Sequence, residues 1–177
     1  MNLKLNPKNS KLAFIALGSN WGDSVAVLRA ALARLQEFSA EPVQASSLWR
    51  TAPVDCPPGS PDFLNAVAAL VPRPGETPET LLAQLQSLEK EFGRAPKKTL
   101  NEPRPLDLDL IAFDGETRAT ATLTLPHPRA PERRFVLAPL NEIAPGLVLP
   151  GQTKTVAALL AALRGGGLCE KMGATMA

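Results

Sequence analysis

Apolar and polar positions change period along the chain, and each change marks an element. Residues 11–17 form an apolar run closed by Gly18-Ser19-Asn20, the pattern of a strand entering a turn. From Asp23 the period lengthens. Val25, Leu28, Leu32, Leu35 and Phe38 fall on one helical face, with Asp23 or Ser24 available as the cap. Residues 43–50, rich in β-branched and aromatic side chains, predict a second strand. Residues 63–71 predict a third, beyond a Pro-rich loop at 52–61. Thr77-Pro78-Glu79 opens a second helix with Thr as N-cap and Pro at the first helical position. Leu81, Leu85, Leu88 and Phe92 carry it on until Gly93 ends it.

Next comes Arg104-Pro105-Leu106-Asp107-Leu108-Asp109-Leu110, in which leucines and aspartates alternate with period two, the mark of a strand with one buried face. Residues 117–125 predict a further strand, 132–143 a helix and 155–163 a short amphipathic helix. The order β-α-β-β-α-β with C-terminal additions predicts the α+β class. The expected architecture is a ferredoxin-like sandwich: a mainly antiparallel sheet with the two longer helices on one face. A single domain is expected over 1–177, with a polar arm at 1–10 and a loose Gly-rich tail at 165–177.

Composition narrows the function. The chain has 177 residues, enough for one sizeable core, and is 45% apolar and 20% charged, as soluble globular proteins are. A net charge of +2 without a basic tract argues against nucleic-acid binding by bulk electrostatics. No apolar run is long enough for a membrane span, and residues 1–10 lack the apolar stretch of a secretory signal. Cys56 and Cys169 stand far apart without metal-spaced neighbours, so reduced thiols in a cytoplasmic protein are expected. A monomer is the default assembly. The 18 prolines cluster in the loops and do not describe a disordered chain.

The chemistry centres on Asp107 and Asp109. Both leave the apolar face of their strand, with Cα atoms roughly 6.6 Å apart. Aspartate is a poor strand former, and paired carboxylates repel unless something positive lies between them. Mg²⁺ carrying a polyphosphate is the natural guest, a solvated acidic face the plainer alternative. Neither Gly-x-x-x-x-Gly-Lys-Ser/Thr nor Gly-x-Gly-x-x-Gly is present, so scattered side chains would have to hold any nucleotide. Gln86 and Glu89 share a helix face that could meet solvent as easily as ligand. Arg94 could cap helix carbonyls or reach a phosphate. Lys97 and Lys98 read as a solvated pair or as part of a closing loop. Arg104 is either the structural partner of the carboxylates or a phosphate clamp. His127 is the one histidine. It sits in a Pro-locked segment whose neighbours Arg129, Arg133 and Arg134 favour an anion. Phe63 and Asn65 share a strand face suited to a flat heterocycle, though core packing is the simpler account of those two residues alone.

Four segments, in order over about 12–150, resemble one family. They are Ala16-Leu17-Gly18-Ser19-Asn20; Arg50-Thr51-Ala52-Pro53 with Asp62-Phe63-Leu64-Asn65-Ala66-Val67; Leu88-Glu89 through Gly93-Arg94 to the Asp strand; and Leu125-Pro126-His127-Pro128 through Arg133-Arg134-Phe135 to Glu142-Ile143-Ala144-Pro145. The chain resembles the 6-hydroxymethyl-7,8-dihydropterin pyrophosphokinases of folate biosynthesis. That resemblance implies transfer of the pyrophosphoryl unit of ATP to the pterin hydroxymethyl group with release of AMP, on a ferredoxin-like fold. It implies two Mg²⁺ ions on Asp107 and Asp109, and ATP contacts from Gln86, Glu89, Arg94, Arg104, His127 and Arg133. Arg94 and Arg104 would steady charge at the transferred group. Thr51, the Val54 backbone and Asn65 would bind the pterin edge, and Phe63 and Phe135 would sandwich its ring. The chain departs from the family pattern at Pro96 and Leu100, where arginines are frequent, and at Asn101 and Pro128, where aromatics are. Lys97 or Lys98 would restore the loop charge. The competing classes are a metal-dependent nucleotidyl transferase or phosphodiester hydrolase using the same carboxylates, and a silent ferredoxin-like binding module.

Overall fold

The computed structural model describes residues 11–94, 102–165 and 167–175. The expectations for the arm at 1–10 and for Pro96, Lys97, Lys98, Leu100 and Asn101 lie outside the described residues. In chain order the elements are β1 (Ala13–Ser19), α1 (Ser24–Leu35) with a 3-10 turn at Gln36–Phe38, β2 (Gln44–Ala45), β3 (Ser47–Thr51), β4 (Phe63–Leu70) and α2 (Pro78–Glu91). Then follow β5 (Asp107–Phe113), β6 (Arg118–Ala119), β7 (Thr124–Leu125), a 3-10 turn at Ala130–Glu132, α3 (Arg134–Ile143), α4 (Val156–Ala162) and β8 (Cys169–Thr175). The main sheet runs β5-β1-β4-β3-β8 with antiparallel pairing at every step, and β2 also pairs with β4.

Both long helices begin where their caps predict. The Asp23 carboxylate accepts from the Ala26 N–H at 3.1 Å, and the Thr77 hydroxyl accepts from the Thr80 N–H at 3.2 Å. Gly93, with φ 88°, ends the second of them.

Several expected boundaries move. The strand expected at 43–50 breaks at Ser46. Its hydroxyl accepts from the Val67 N–H at 3.0 Å and donates to the Ser47 carbonyl at 2.9 Å, so a side chain replaces one rung of the ladder. The strand expected at 117–125 is a small hairpin of β6 and β7. The helix expected at 132–143 starts at Arg134 because residues 130–132 tighten into the 3-10 turn. The tail expected to be loose from 165 instead supplies β8. Its backbone pairs with the otherwise open edge of β3, Thr51 opposite Cys169 and Trp49 opposite Lys171.

The sheet carries a core on each face. On one, Ala13, Ile15, Leu17, Ala66, Ala68 and Leu108 meet Leu28, Ala31 and Leu35 of α1 and Leu81, Leu85 and Leu88 of α2. On the other, Phe14, Val67, Ala69 and Ile111 meet Val136, Leu137 and Leu140 of α3 and Val156 of α4. Neighbouring residues of one strand thus serve opposite layers. Among the described residues no helix is long and apolar enough to cross a membrane.

Candidate active site

Alternation and register assemble the site. Gly18 of β1 lies between Asn65 of β4 and Asp107 of β5, and Ala16 lies between Val67 and Asp109. Thr51 stands opposite Phe63 on the neighbouring strand. All of these belong to the face shared with α3. Where its apolar cover stops, the sheet forms the floor of a cavity of about 180 Å³. Gly18 is needed there for clearance: a Cβ on it would come within 3.0 Å of Asn65 Oδ1. The Asn65 amide donates to the Thr51 hydroxyl at 2.7 Å, which leaves Asn65 Oδ1 and the Thr51 proton for a ligand.

The walls come from loops tied to the same strands. A bulge in β5 passes over Ile111, since Phe14 faces Ala112 while Ile15 faces Leu110. The Ile111 carbonyl is released to accept from the His127 N–H at 2.8 Å, which fixes the segment carrying His127, Arg129, Arg133 and Phe135 beside Asp109. Asn20 holds the opposite wall. Its backbone N–H donates to the Arg104 carbonyl at 3.2 Å, and its side-chain oxygen accepts from the Arg104 N–H at 2.9 Å. Val54, Asp55 and Cys56 close a third side from the loop after β3.

Cations surround the carboxylates. Asp107 Oδ1 meets Arg94 at 2.9 Å and Arg104 at 3.0 Å, and Asp109 meets Arg133 more loosely at 3.9 Å. Among the described residues the buried Arg104 Nε has no hydrogen-bond partner, which leaves a donor over beside the cavity. Burial, and then the negative charge of Asp107, push the Asp109 carboxyl above its usual range. Burial lowers the His127 imidazole, with Asp109 opposing. Its Nδ1 accepts from the Arg129 N–H at 3.3 Å, so the neutral ring carries its proton on Nε2.

Of the residues expected to act, Thr51, Val54, Phe63, Asn65, Arg94, Arg104, Asp107, Asp109, His127, Arg133 and Phe135 converge on this one cavity. Two expected nucleotide contacts do not line it. Gln86 is exposed on α2. Glu89 is buried, where it accepts from the Leu108 N–H at 2.7 Å and pairs with Arg94. It staples α2 to β5 between the two aspartates and holds Arg94 in place, one layer behind the cavity. Helical period could not reveal this, because the partner is a backbone amide on a later strand. Arg129, Asp55 and Cys56 line the cavity without having been assigned to it. Proximity to His127 was the one sequence signal for Arg129.

Among the described residues no group of three or more His, Cys, Asp or Glu gathers. Two carboxylates suit Mg²⁺, which binds through one or two such groups together with water and substrate phosphates. The raised ionisation of Asp109 is what a cation would relieve. The residues present therefore fit the metal.

Comparison with known proteins agrees with this geometry. Residues 14–145 match the family model described as 7,8-dihydro-6-hydroxymethylpterin-pyrophosphokinase. A 2-amino-4-hydroxy-6-hydroxymethyldihydropteridine pyrophosphokinase of Synechocystis is 37% identical over 87% of this chain and 77% of its own length. The enzyme of the same name from Bacillus subtilis is 41% identical over 76% of this chain and 78% of its own. A crystal structure of Plasmodium falciparum HPPK-DHPS superposes with a TM-score of 0.69 at 12% identity, covering 86% of this chain and 44% of that one. That likeness shows a shared fold, mixed α/β around a mainly antiparallel sheet.

Proposed function

The chain belongs to the 7,8-dihydro-6-hydroxymethylpterin-pyrophosphokinase family, and from that premise we propose how its cavity carries the reaction. The protein is a diphosphokinase of folate synthesis that moves a pyrophosphoryl group from ATP to hydroxymethyldihydropterin. The pterin hydroxymethyl oxygen bonds to the β-phosphorus, the bridge between α- and β-phosphorus breaks, AMP leaves, and the hydroxyl proton passes to solvent.

The reading rests on one observation: two strand carboxylates flanked by guanidinium groups share a cavity with two phenyl rings and a Thr–Asn pair. Phe63 and Phe135 hold the flat ring. The Thr51 hydroxyl donates to the pterin edge and Asn65 Oδ1 accepts from it, with the Val54 backbone alongside. Arg94 and Arg104 turn from Asp107 toward the transferred phosphates, and the unpartnered Arg104 Nε–H gains an acceptor. Arg133 and the protonated Nε2 of His127 hold the nucleotide on the Asp109 side. Asp107 and Asp109 would hold Mg²⁺, two ions in our reading, which supply charge neutralisation on the phosphate oxygens. Glu89 works through Arg94, Gln86 approaches the nucleotide from α2, and Lys97 is a further nucleotide contact in our reading. Positioning and charge neutralisation dominate, as in phosphoryl transfer generally.

The strand order, with α1 and α2 on one face, supports a ferredoxin-like sandwich as the underlying plan. We read the working unit as a cytoplasmic monomer with reduced Cys56 and Cys169. Mass analysis after incubation with ATP, Mg²⁺ and reduced pterin tests the reaction. AMP and a pterin diphosphate are expected. Released pyrophosphate with a nucleotidylated product would instead support nucleotidyl transfer.

A further inference from the structure

Among the described residues, Arg129 is the arginine of the cavity wall that the charge pairing leaves over. Arg94 is engaged by Glu89 and Asp107, Arg104 by Asp107, and Arg133 by Asp109 and the face of Phe135, whose centroid lies 5.3 Å from its guanidinium carbon. Arg129 lines the same cavity, yet among the described residues no carboxylate pairs with it. Several arginines on the outer surface do find carboxylates. Arg34 reaches Glu37 and Glu91, Arg50 reaches Glu170, and Arg118 reaches Glu79 and Glu116.

The backbone around Arg129 is held although its side chain is exposed. Its N–H donates to His127 Nδ1, its carbonyl accepts from the Glu132 N–H at 3.2 Å, and Pro128 and Pro131 limit the turn. Its charge bears on Arg133, which burial and then Arg129 make less willing to stay protonated. Arg129 and Arg133, gathered on one wall beside aspartates that already face Arg94, Arg104 and Arg133, suit an anion between them.

We propose that Arg129 is a further polyphosphate-binding residue, whose guanidinium takes phosphate oxygens of ATP on the Asp109 side of the cavity. The inference rests on the reading of this cavity as the ATP site. It adds a contact from the His127 segment.

The test uses the full chain, with Arg129→Gln and Arg129→Lys, and inorganic tripolyphosphate as a competitor of ATP. In Arg129→Gln the KM for ATP and the inhibition constant for tripolyphosphate are expected to rise about tenfold, the loss of one charge-assisted hydrogen bond. The KM for pterin and the melting temperature should not change. Arg129→Lys should recover most of the loss, and the ATP KM of the wild type should climb more steeply with salt than that of Arg129→Gln. Unchanged ATP and tripolyphosphate constants in Arg129→Gln overturn the proposal. So does an equal rise in both substrates' KM with a lowered melting temperature. A wild-type protein that makes no AMP from ATP and pterin would defeat the wider reading, whereas an Arg129→Gln variant equal to an active wild type defeats this contact alone.

Discussion

The two faces of the central sheet are made by the same strands and do opposite work. One face is covered along its length by α1 and α2 and is mainly apolar, with Leu28, Leu35, Leu81 and Leu85 fully buried and Glu89 a buried exception. The other is covered by α3 and α4 only in part, and the uncovered part carries Gly18, Asn65, Asp107 and Asp109. Leu108 and Asp109 are adjacent in sequence and belong to different layers. Stability and chemistry are therefore separable by residue parity: a strand can tolerate two poorly solvated carboxylates because its other side is anchored by leucines.

Breaking the open face alone should give the largest effect. Asp109→Ala or Asp107→Ala should lower turnover at least about a thousandfold, since the metal–phosphate contact is lost. Steady-state assays and circular dichroism together check this, and folding should survive. Breaking the closed face should do the reverse. Leu85→Ala leaves a cavity between α2 and the sheet and should cost about 3 kcal/mol by denaturant melts, while the folded fraction keeps both KM values.

A smaller test straddles the border. Gly18→Ala sets a methyl group against Asn65 Oδ1. It should raise the KM for pterin about tenfold through a local clash and leave that for ATP nearly unchanged. The smallest effect concerns the strain of the open face. Asp109 has its carboxyl pushed above 3.8 in the folded state. Its protonated form therefore favours folding, and that contribution fades as pH rises from the unfolded value through the folded one. At neutral pH without metal the ionised group opposes folding. Asp109→Asn should then raise the melting temperature by a few degrees in chelator, and Mg²⁺ with nucleotide should narrow that gap in the wild type's favour.

The closed face was the more legible in the sequence. Helical stripes and the Thr77-Pro78 start name α1 and α2, and the leucine alternation names the buried side of β5. The open face was legible where its residues follow alternation, as Asp107 and Asp109 do, or stand in segments that resemble a known family, as Phe135 does. It was not legible where tertiary pairing decides. The Ile111 bulge that captures His127, the Ser46 break between β2 and β3, and the burial of Glu89 under the Leu108 amide all depend on partners distant in sequence. The glycines before Cys169 concealed β8, which forms because β3 offers an open edge.

The central claim is that the uncovered part of the sheet is where ATP and pterin meet. A crystal structure with Mg²⁺, a non-hydrolysable ATP analogue and 6-hydroxymethyl-7,8-dihydropterin tests it most directly. The account predicts the pterin ring between Phe63 and Phe135, metal on Asp107 and Asp109, and the β-phosphorus facing the hydroxymethyl oxygen. A nucleotide bound elsewhere, for example in the neighbouring cavity lined by Arg134, Leu168 and Cys169, with the two carboxylates still paired only to arginine, would contradict it.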